Sequence, residues 1–167
     1  MLIRREQPAD VAAVHAVNEA AFATGTEAAL VDALRAQAEP IVSLVAEDAG
    51  SIVGHICFSP VTLSGHAELT IMGLAPMAVL PADQRRGIGS ALVRSGLERC
   101  RRLGCDAVVV LGHAEYYPRF GFVPASRFGI RSEYDVPDDA FMAFEIEAGI
   151  LKGRAGTIRY HAAFANL

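Results

Sequence analysis

Between an apolar stretch ending at Leu80 and an amphipathic stretch beginning at Ile88 lies Gln84-Arg85-Arg86-Gly87-Ile88-Gly89. A helix N-terminus presents unpaired N–H groups and a partial positive charge, so it attracts anions. Glycine lacks Cβ and lets a phosphate oxygen approach the backbone closely. Arg85 and Arg86 add positive charge at the same place. These features describe a cradle for a pyrophosphate. A plain strand-to-helix turn with solvated arginines uses the same residue types. Two other phosphate-binding designs are excluded by spacing. Gly87-Ile88-Gly89-Ser90-Ala91-Leu92 lacks the third glycine of the dinucleotide fingerprint, and the chain holds no Gly-x-x-x-x-Gly-Lys-Ser/Thr.

The elements that would position this turn follow from periodicity. Leu2-Ile3-Arg4-Arg5 reads as a strand. Asp10 is placed to cap a helix on which Val11, Val14, Asn18 and Phe22 recur. Thr26 is placed to cap a second, carrying Leu30, Val31 and Leu34 and ending before Pro40. From Ile41 the period becomes two, and Glu47-Asp48-Ala49-Gly50 separates the arms of a predicted hairpin. A third strand runs from Leu69 to Leu80, where Gly73 and Pro76 should disturb its pairing as a bulge or splay. The next helix turns Ile88, Leu92, Val93, Leu97 and Cys100 inward and stops at Gly104. Ala107-Val108-Val109-Val110-Leu111 has the pattern of a strand buried on both faces. Further strands are expected near Phe128-Gly129-Ile130 and Phe141–Ile146. The order βααβββαβ with trailing strands is a mixed α/β domain, and 167 residues suit one domain, 1–167.

Composition narrows the function classes. With 52% hydrophobic residues, 20% charged and a net charge of −4, the chain can build a core and lacks the basic excess of a nucleic-acid binder. The longest apolar run, Leu69 to Leu80, is far short of the ~20 residues that span a bilayer. Cys57, Cys100 and Cys105 have no Cys-x-x-Cys spacing and are expected to be free thiols in a reducing cytoplasm. The histidines are scattered, so no metal site is expected.

Three segments, in this order, resemble the GNAT superfamily of N-acetyltransferases and within it the bacterial YhbS-like branch. They are Leu74-Ala75-Pro76-Met77-Ala78-Val79, then Gln84-Arg85-Arg86-Gly87-Ile88-Gly89-Ser90-Ala91-Leu92, then Tyr116-Tyr117-Pro118-Arg119-Phe120-Gly121-Phe122. The resemblance implies an α/β (α+β) fold with a central, mixed but mostly antiparallel sheet, splayed at an acyl-CoA site and flanked by helices. It implies acetyl-CoA as cosubstrate and an amine as acceptor. By the same resemblance the backbone of Met77, Ala78 and Val79 would hold the pantetheine arm. Gln84, Arg85, Arg86, Gly87, Ile88, Gly89 and Ser90 would hold the pyrophosphate, chiefly through main-chain amides.

In that family a tyrosine four residues before the Gly-Phe pair often protonates the departing thiolate, which points to Tyr117. Tyr116 is the nearest competitor, and both belong to an aromatic cluster that core packing alone would also produce. The general base stays open among His55, His66, His113, Glu27, Glu68 and Glu115, with ordered water as an alternative. Cys57 is expected to be a buried thiol rather than an acyl carrier. The acceptor groove would lie between Phe22–Leu34 and Phe128–Phe144, where Glu27, Glu133, Asp135, Asp138 and Asp139 could attract a cation or simply be solvated. A CoA-binding module without turnover is the other reading, and homodimers are common among such proteins.

Overall fold

The computed structural model describes residues 1–166. In chain order the elements are β1 (Leu2–Arg5), α1 (Val11–Ala21), α2 (Thr26–Gln37), β2 (Val42–Asp48), β3 (Ser51–Leu63), β4 (Ile71–Val79), α3 (Ile88–Arg102) and β5 (Ala107–Leu111). There follow β6 (Val123–Pro124), β7 (Ile130–Ser132), β8 (Phe141–Glu145) and β9 (Gly156–Arg159), with short 3-10 turns between them. The main sheet runs β1-β2-β3-β4-β5-β8-β6, and β9 joins the end of β3 to β7. Among the described residues only β4–β5 and β7–β9 are parallel pairs. The mixed, mostly antiparallel sheet expected from the sequence is therefore present.

Alternation along the strands decides the layers. Leu44 and Ala46 of β2, Ile56 and Phe58 of β3, and Val108 and Val110 of β5 pack with Ile88, Leu92, Val93, Leu97 and Cys100 of α3. Val45, between Leu44 and Ala46, instead meets Val14 of α1 and Val31 of α2. Cys57 packs with Leu30 and Leu34 of α2. Helix α3 thus covers one face, and α1 with α2 covers the other. Val109 faces a further cluster with Val61, Ile130, Phe141 and Ile158, so β5 is buried on both faces. Each fully buried Leu or Phe in these layers contributes roughly 1.5–3 kcal/mol.

Several local expectations are corrected. Asp10 stands before α1, but its carboxylate does not cap the helix; it accepts bonds from Arg4 at 2.7 and 3.0 Å and from the Gln7 amide at 2.6 Å. The guanidinium gives that carboxylate a stronger partner than a helix amide and holds its pKa below the usual range. Gly25, not Thr26, is the N-cap of α2. Gly73 pairs regularly with Ser59 and Val109, so only Pro76 disturbs the ladder. Phe128 ends a 3-10 turn, and the strand begins at Ile130. Strands β6 and β9 carry too few residues for periodicity to reveal them.

His55 lies within the sheet without exposure, its Nδ1 accepting from Asn18 Nδ2 at 3.1 Å and its Nε2 donating to Ser43 Oγ at 2.8 Å. Burial, with a further push from the charge of Arg35, lowers its pKa to about 3, so the ring is neutral in the fold. An unfolded histidine binds its proton near pH ~6.5, so below that pH the unfolded chain holds more protons. The stability contributed by the neutral ring is complete above pH ~6.5 and falls by about 1.4 kcal/mol per pH unit toward pH 3. Urea unfolding at pH 6.5 and 5.0 should therefore show His55→Gln losing about 2 kcal/mol less than the parent chain between the two. Equal losses would mean that the ring is not held neutral.

Candidate functional site

Strands β4 and β5 pair in parallel from Ile71–Ala107 to Leu74–Val110, and there the pairing ends. Beyond it β5 continues with β8, through Leu111 and Phe141. On its other side β4 stays with β3, but with a change of register: Phe58 faces Leu74 while Ile56 faces Met77. Ala75 and Pro76 together therefore oppose Cys57, which is a bulge. Proline has no N–H to give the ladder, and the bulge rotates the strand. The result is a wedge between the strands, in which the β5-facing edge of Ala75–Val79 has no strand partner among the described residues. Met77, Ala78 and Val79 lie on this segment.

The turn after β4 has an unusual backbone. Arg85 has φ of +65° and Gly87 has φ of +79°, with Gly87 as the N-cap of α3. A left-handed residue aims its amide the same way as its neighbours do, which makes an anion-binding concavity. No side chain caps α3, and its first backbone bond is from Ala91 N–H to Gly87 O, at 3.0 Å. The amides from Arg85 to Ser90 therefore have no acceptor among the described residues. An added Cβ at Gly87 would meet nothing within 4 Å, so the glycine answers to its positive φ and not to crowding.

The side chains around this turn divide by role. Gln84 Nε2 donates to the Val79 carbonyl at 3.2 Å and fixes the turn to the strand end. Arg86 is committed to Asp83 at 2.6 Å and Asp48 at 2.9 Å, on the turn itself and on the tip of the β2–β3 hairpin. Its charge is largely neutralised, contrary to the expectation that both arginines add charge to the cradle. Arg85 forms no ion pair among the described residues. Ser90 Oγ lies 3.1 Å from the Tyr116 hydroxyl, which places Tyr116 against the first turn of α3. Arg119 covers the Tyr116 ring at 4.6 Å from its centroid.

Tyr117 is buried, with its ring edge-on to Tyr116 and Phe122 at 5.1 and 5.6 Å between centroids. It lies so close to Gly112 that an added Cβ there would stand 2.4 Å from Cε2. Burial raises its phenol to about 12, so it is protonated at neutral pH. The aromatic cluster foreseen from the sequence is therefore real, and both tyrosines belong to it.

The remaining candidates separate. His55 has both ring nitrogens occupied inside the sheet. Cys57 is fully buried, and its thiol is pushed up to about 12, which removes it as a nucleophile. His66 and Glu68 precede β4, and Glu68 pairs with Arg154. The part of β4 from Ile71 to Ala75, roughly 13 Å at ~3.3 Å per residue, separates them from the wedge. His113 and Glu115 are exposed and line a surface cavity of about 560 Å³ with Tyr116 and Arg119. Glu133 and Asp138 serve internal bonds, accepting from Tyr160 N–H at 2.6 Å and from Ser126 Oγ at 3.1 Å. Asp139 lies in the 3-10 turn before β8. Among the described residues no cluster of His, Cys, Asp and Glu has the arrangement of a metal site, and no helix is long and apolar enough to cross a membrane.

At the point where β4 and β5 part lies a cavity of about 310 Å³, lined by Leu74, Ala75, Leu111, Tyr134, Tyr160, Phe164 and Ala165. Its far wall comes from the C-terminal segment. No sequence signal marked that segment, because one aromatic just past a short strand and another in a turn carry no period.

Comparison with known proteins agrees with this geometry. Residues 11–122 match the model of the acetyltransferase (GNAT) family. The "Uncharacterized N-acetyltransferase YjhQ" of Escherichia coli (strain K12) is 42% identical over 78% of this chain and 74% of its own length. The crystal structure of the GNAT family N-acetyltransferase YhbS from Escherichia coli, in complex with CoA, superposes with a TM-score of 0.92 at 34% identity, covering 98% of this chain and 91% of that one. A GNAT family acetyltransferase from Brucella melitensis, in complex with acetyl-CoA, gives 0.79 at 40% identity, over 98% and 97%. The opened sheet, the uncapped helix and these likenesses together make the chain a member of the acetyltransferase (GNAT) family.

Proposed function

We propose that this chain is a single-domain N-acetyltransferase that takes acetyl-CoA and passes the acetyl group to an amine by direct attack. The observation that carries the reading is the row of unpaired amides from Arg85 to Ser90 beside the unpaired edge of β4. A diphosphate needs converging N–H donors, and the amides supply them with the dipole of α3 behind. The arm of CoA carries two amide groups, and the backbone of Met77, Ala78 and Val79 offers them a strand edge. Gln84 and Gly87 shape the turn, Ile88 and Gly89 continue the donor row, and Ser90 adds a hydroxyl. Arg85 is the arginine available to the phosphates, while Arg86 holds the turn in place. The CoA and acetyl-CoA complexes of the two structural relatives support the same ligand.

In the transfer, the lone pair of a neutral amine forms a bond to the carbonyl carbon, and the C–S bond breaks with its electron pair on sulfur. Tyr117 gives its phenolic proton to that sulfur and is reprotonated from solvent; the extra proton of the amine leaves to water. A phenol at about 12 is a weak acid toward a thiol that titrates near ~8.5 in water. The same dry surroundings raise the thiol too, which narrows that gap. All of these groups come from one copy of the chain.

Isothermal titration with acetyl-CoA, in parallel with a thiol-release assay over a panel of amines, tests the proposal. Binding with release for one amine class upholds it; absence of acetyl-CoA binding overturns it. Gly87→Glu should weaken acetyl-CoA binding by 100-fold or more, on the order of 2.7 kcal/mol, by placing a carboxylate at the anion position. Gly87→Gln carries the same bulk and φ strain without the charge and should lose less. Equal losses in the two variants would remove electrostatics from the account. Tyr117→Phe should lower kcat by roughly 100-fold while the acetyl-CoA Kd stays within about twofold. Full activity in Tyr117→Phe with a matching loss in Tyr116→Phe would transfer the role of acid to Tyr116.

A further inference from the structure

The cavity at the wedge has a chemistry that identifies more than a generic amine. Leu74, Ala75, Leu111, Tyr134, Tyr160 and Phe164 bound it, and no ionisable group other than the two phenols lines it. Tyr134 and Tyr160 stack at 5.6 Å with 27° between planes, and Tyr160 meets Phe164 at 5.1 Å. Its volume is about 310 Å³. That space suits one ring or one branched chain. Its walls offer nothing to pair with the several charges of an aminosugar oligomer or a polyamine.

A second observation lies on α2. Oε2 of Glu27 is buried and has no hydrogen-bond partner among the described residues. An unpaired carboxylate oxygen out of water is costly unless a cation or donor meets it. Glu27 is one helical turn before Leu30, on the same side of the helix. Leu30 in turn packs in one cluster with Ala75, Tyr160 and Phe164, three walls of the cavity. Glu27 and the cavity thus share the face of the sheet opposite α3.

We propose that this cavity is the acceptor pocket and that the acceptor is a monoamine bearing a single aromatic or branched aliphatic group, with its ammonium paired to Glu27. This rests on the transferase reading above and specifies its substrate class. The apolar group excludes water from the wedge, and the carboxylate fixes the nitrogen before it loses its proton.

Acetyl-CoA binding is measured first, and the thiol-release assay then compares phenethylamine and isoamylamine with spermidine, kanamycin and a peptide beginning with glycine. The expected result is a kcat/KM at least about tenfold higher for the two apolar monoamines. Tyr134 is 42% exposed, so Tyr134→Ala should fold; it should raise the KM for phenethylamine about tenfold with the acetyl-CoA Kd unchanged. Leu111, 48% exposed, gives a second variant: Leu111→Trp should fill the cavity and block phenethylamine. Glu27→Gln should abolish the preference for phenethylamine over 2-phenylethanol as competing ligands, a readout that a merely structural carboxylate would not move. Preference for spermidine, kanamycin or the peptide, or no release from any amine despite acetyl-CoA binding, overturns the pocket assignment and leaves the cofactor reading standing. If acetyl-CoA does not bind, titration with phenethylamine alone decides: binding lost in Leu111→Trp upholds the pocket, and no binding overturns it along with the enzyme.

Discussion

The parting of β4 from β5 beyond Leu74 and Val110 is the constraint on which the rest of this molecule depends. Strand β4 runs on five residues past the last pair, to Val79, whereas β5 ends at Leu111. Here the bulge at Ala75-Pro76 turns β4 away while β3 keeps its hold, and β5 is drawn on toward β8. The cost of opening a ladder inside a sheet is several unpaired backbone groups. Those groups are the feature a peptide-like ligand can satisfy. Everything else is arranged around the gap: the turn that closes onto Val79 through Gln84, the helix that starts without a cap, and the aromatic walls at the opening.

The two faces of the sheet divide the labour. On one, α3 presents its N-terminal amides where β4 ends, and its apolar stripe buries Phe58 and Met72 below. On the other, α1 and α2 pack over Val45 and Cys57 and leave the wedge to be lined by residues from the C-terminal segment. The α3 amides and the aromatic cavity thus lie toward opposite faces of the sheet, with the unpaired edge of β4 between them.

Much of this was legible in the sequence, for identifiable reasons. The five inward positions of α3 follow a 3.6-residue period, and the β-branched run at Val108–Val110 reads as a doubly buried strand. Pro76 in the middle of an apolar strand announces a disturbed ladder, because proline cannot donate. The turn at Gly87 is local chemistry and is visible as such. What the sequence concealed depends on partners distant in the chain. Nothing near Arg86 says that Asp48, on a hairpin tip, neutralises it. Nothing near Asp10 says that Arg4 takes the carboxylate away from the helix it precedes. The walls formed by Tyr160 and Phe164 belong to short elements with no period to read. Glu27 was one acidic residue among several until its burial distinguished it.

Helix α3 begins with no side-chain cap, although its first turn belongs to the main core. A cap of the ordinary kind contributes about 1 kcal/mol, and this chain forgoes it at the element that holds the core together. Under the proposed function the missing cap would come from outside, and an anion seated at Gly87 would be a folding partner as well as a reactant. A ligand at a thousand times its dissociation constant adds about 4 kcal/mol to the native state, a large share of what a domain of this size has. In that case the stability of the fold would rise with the concentration of its own cosubstrate, with no separate element needed to couple the two.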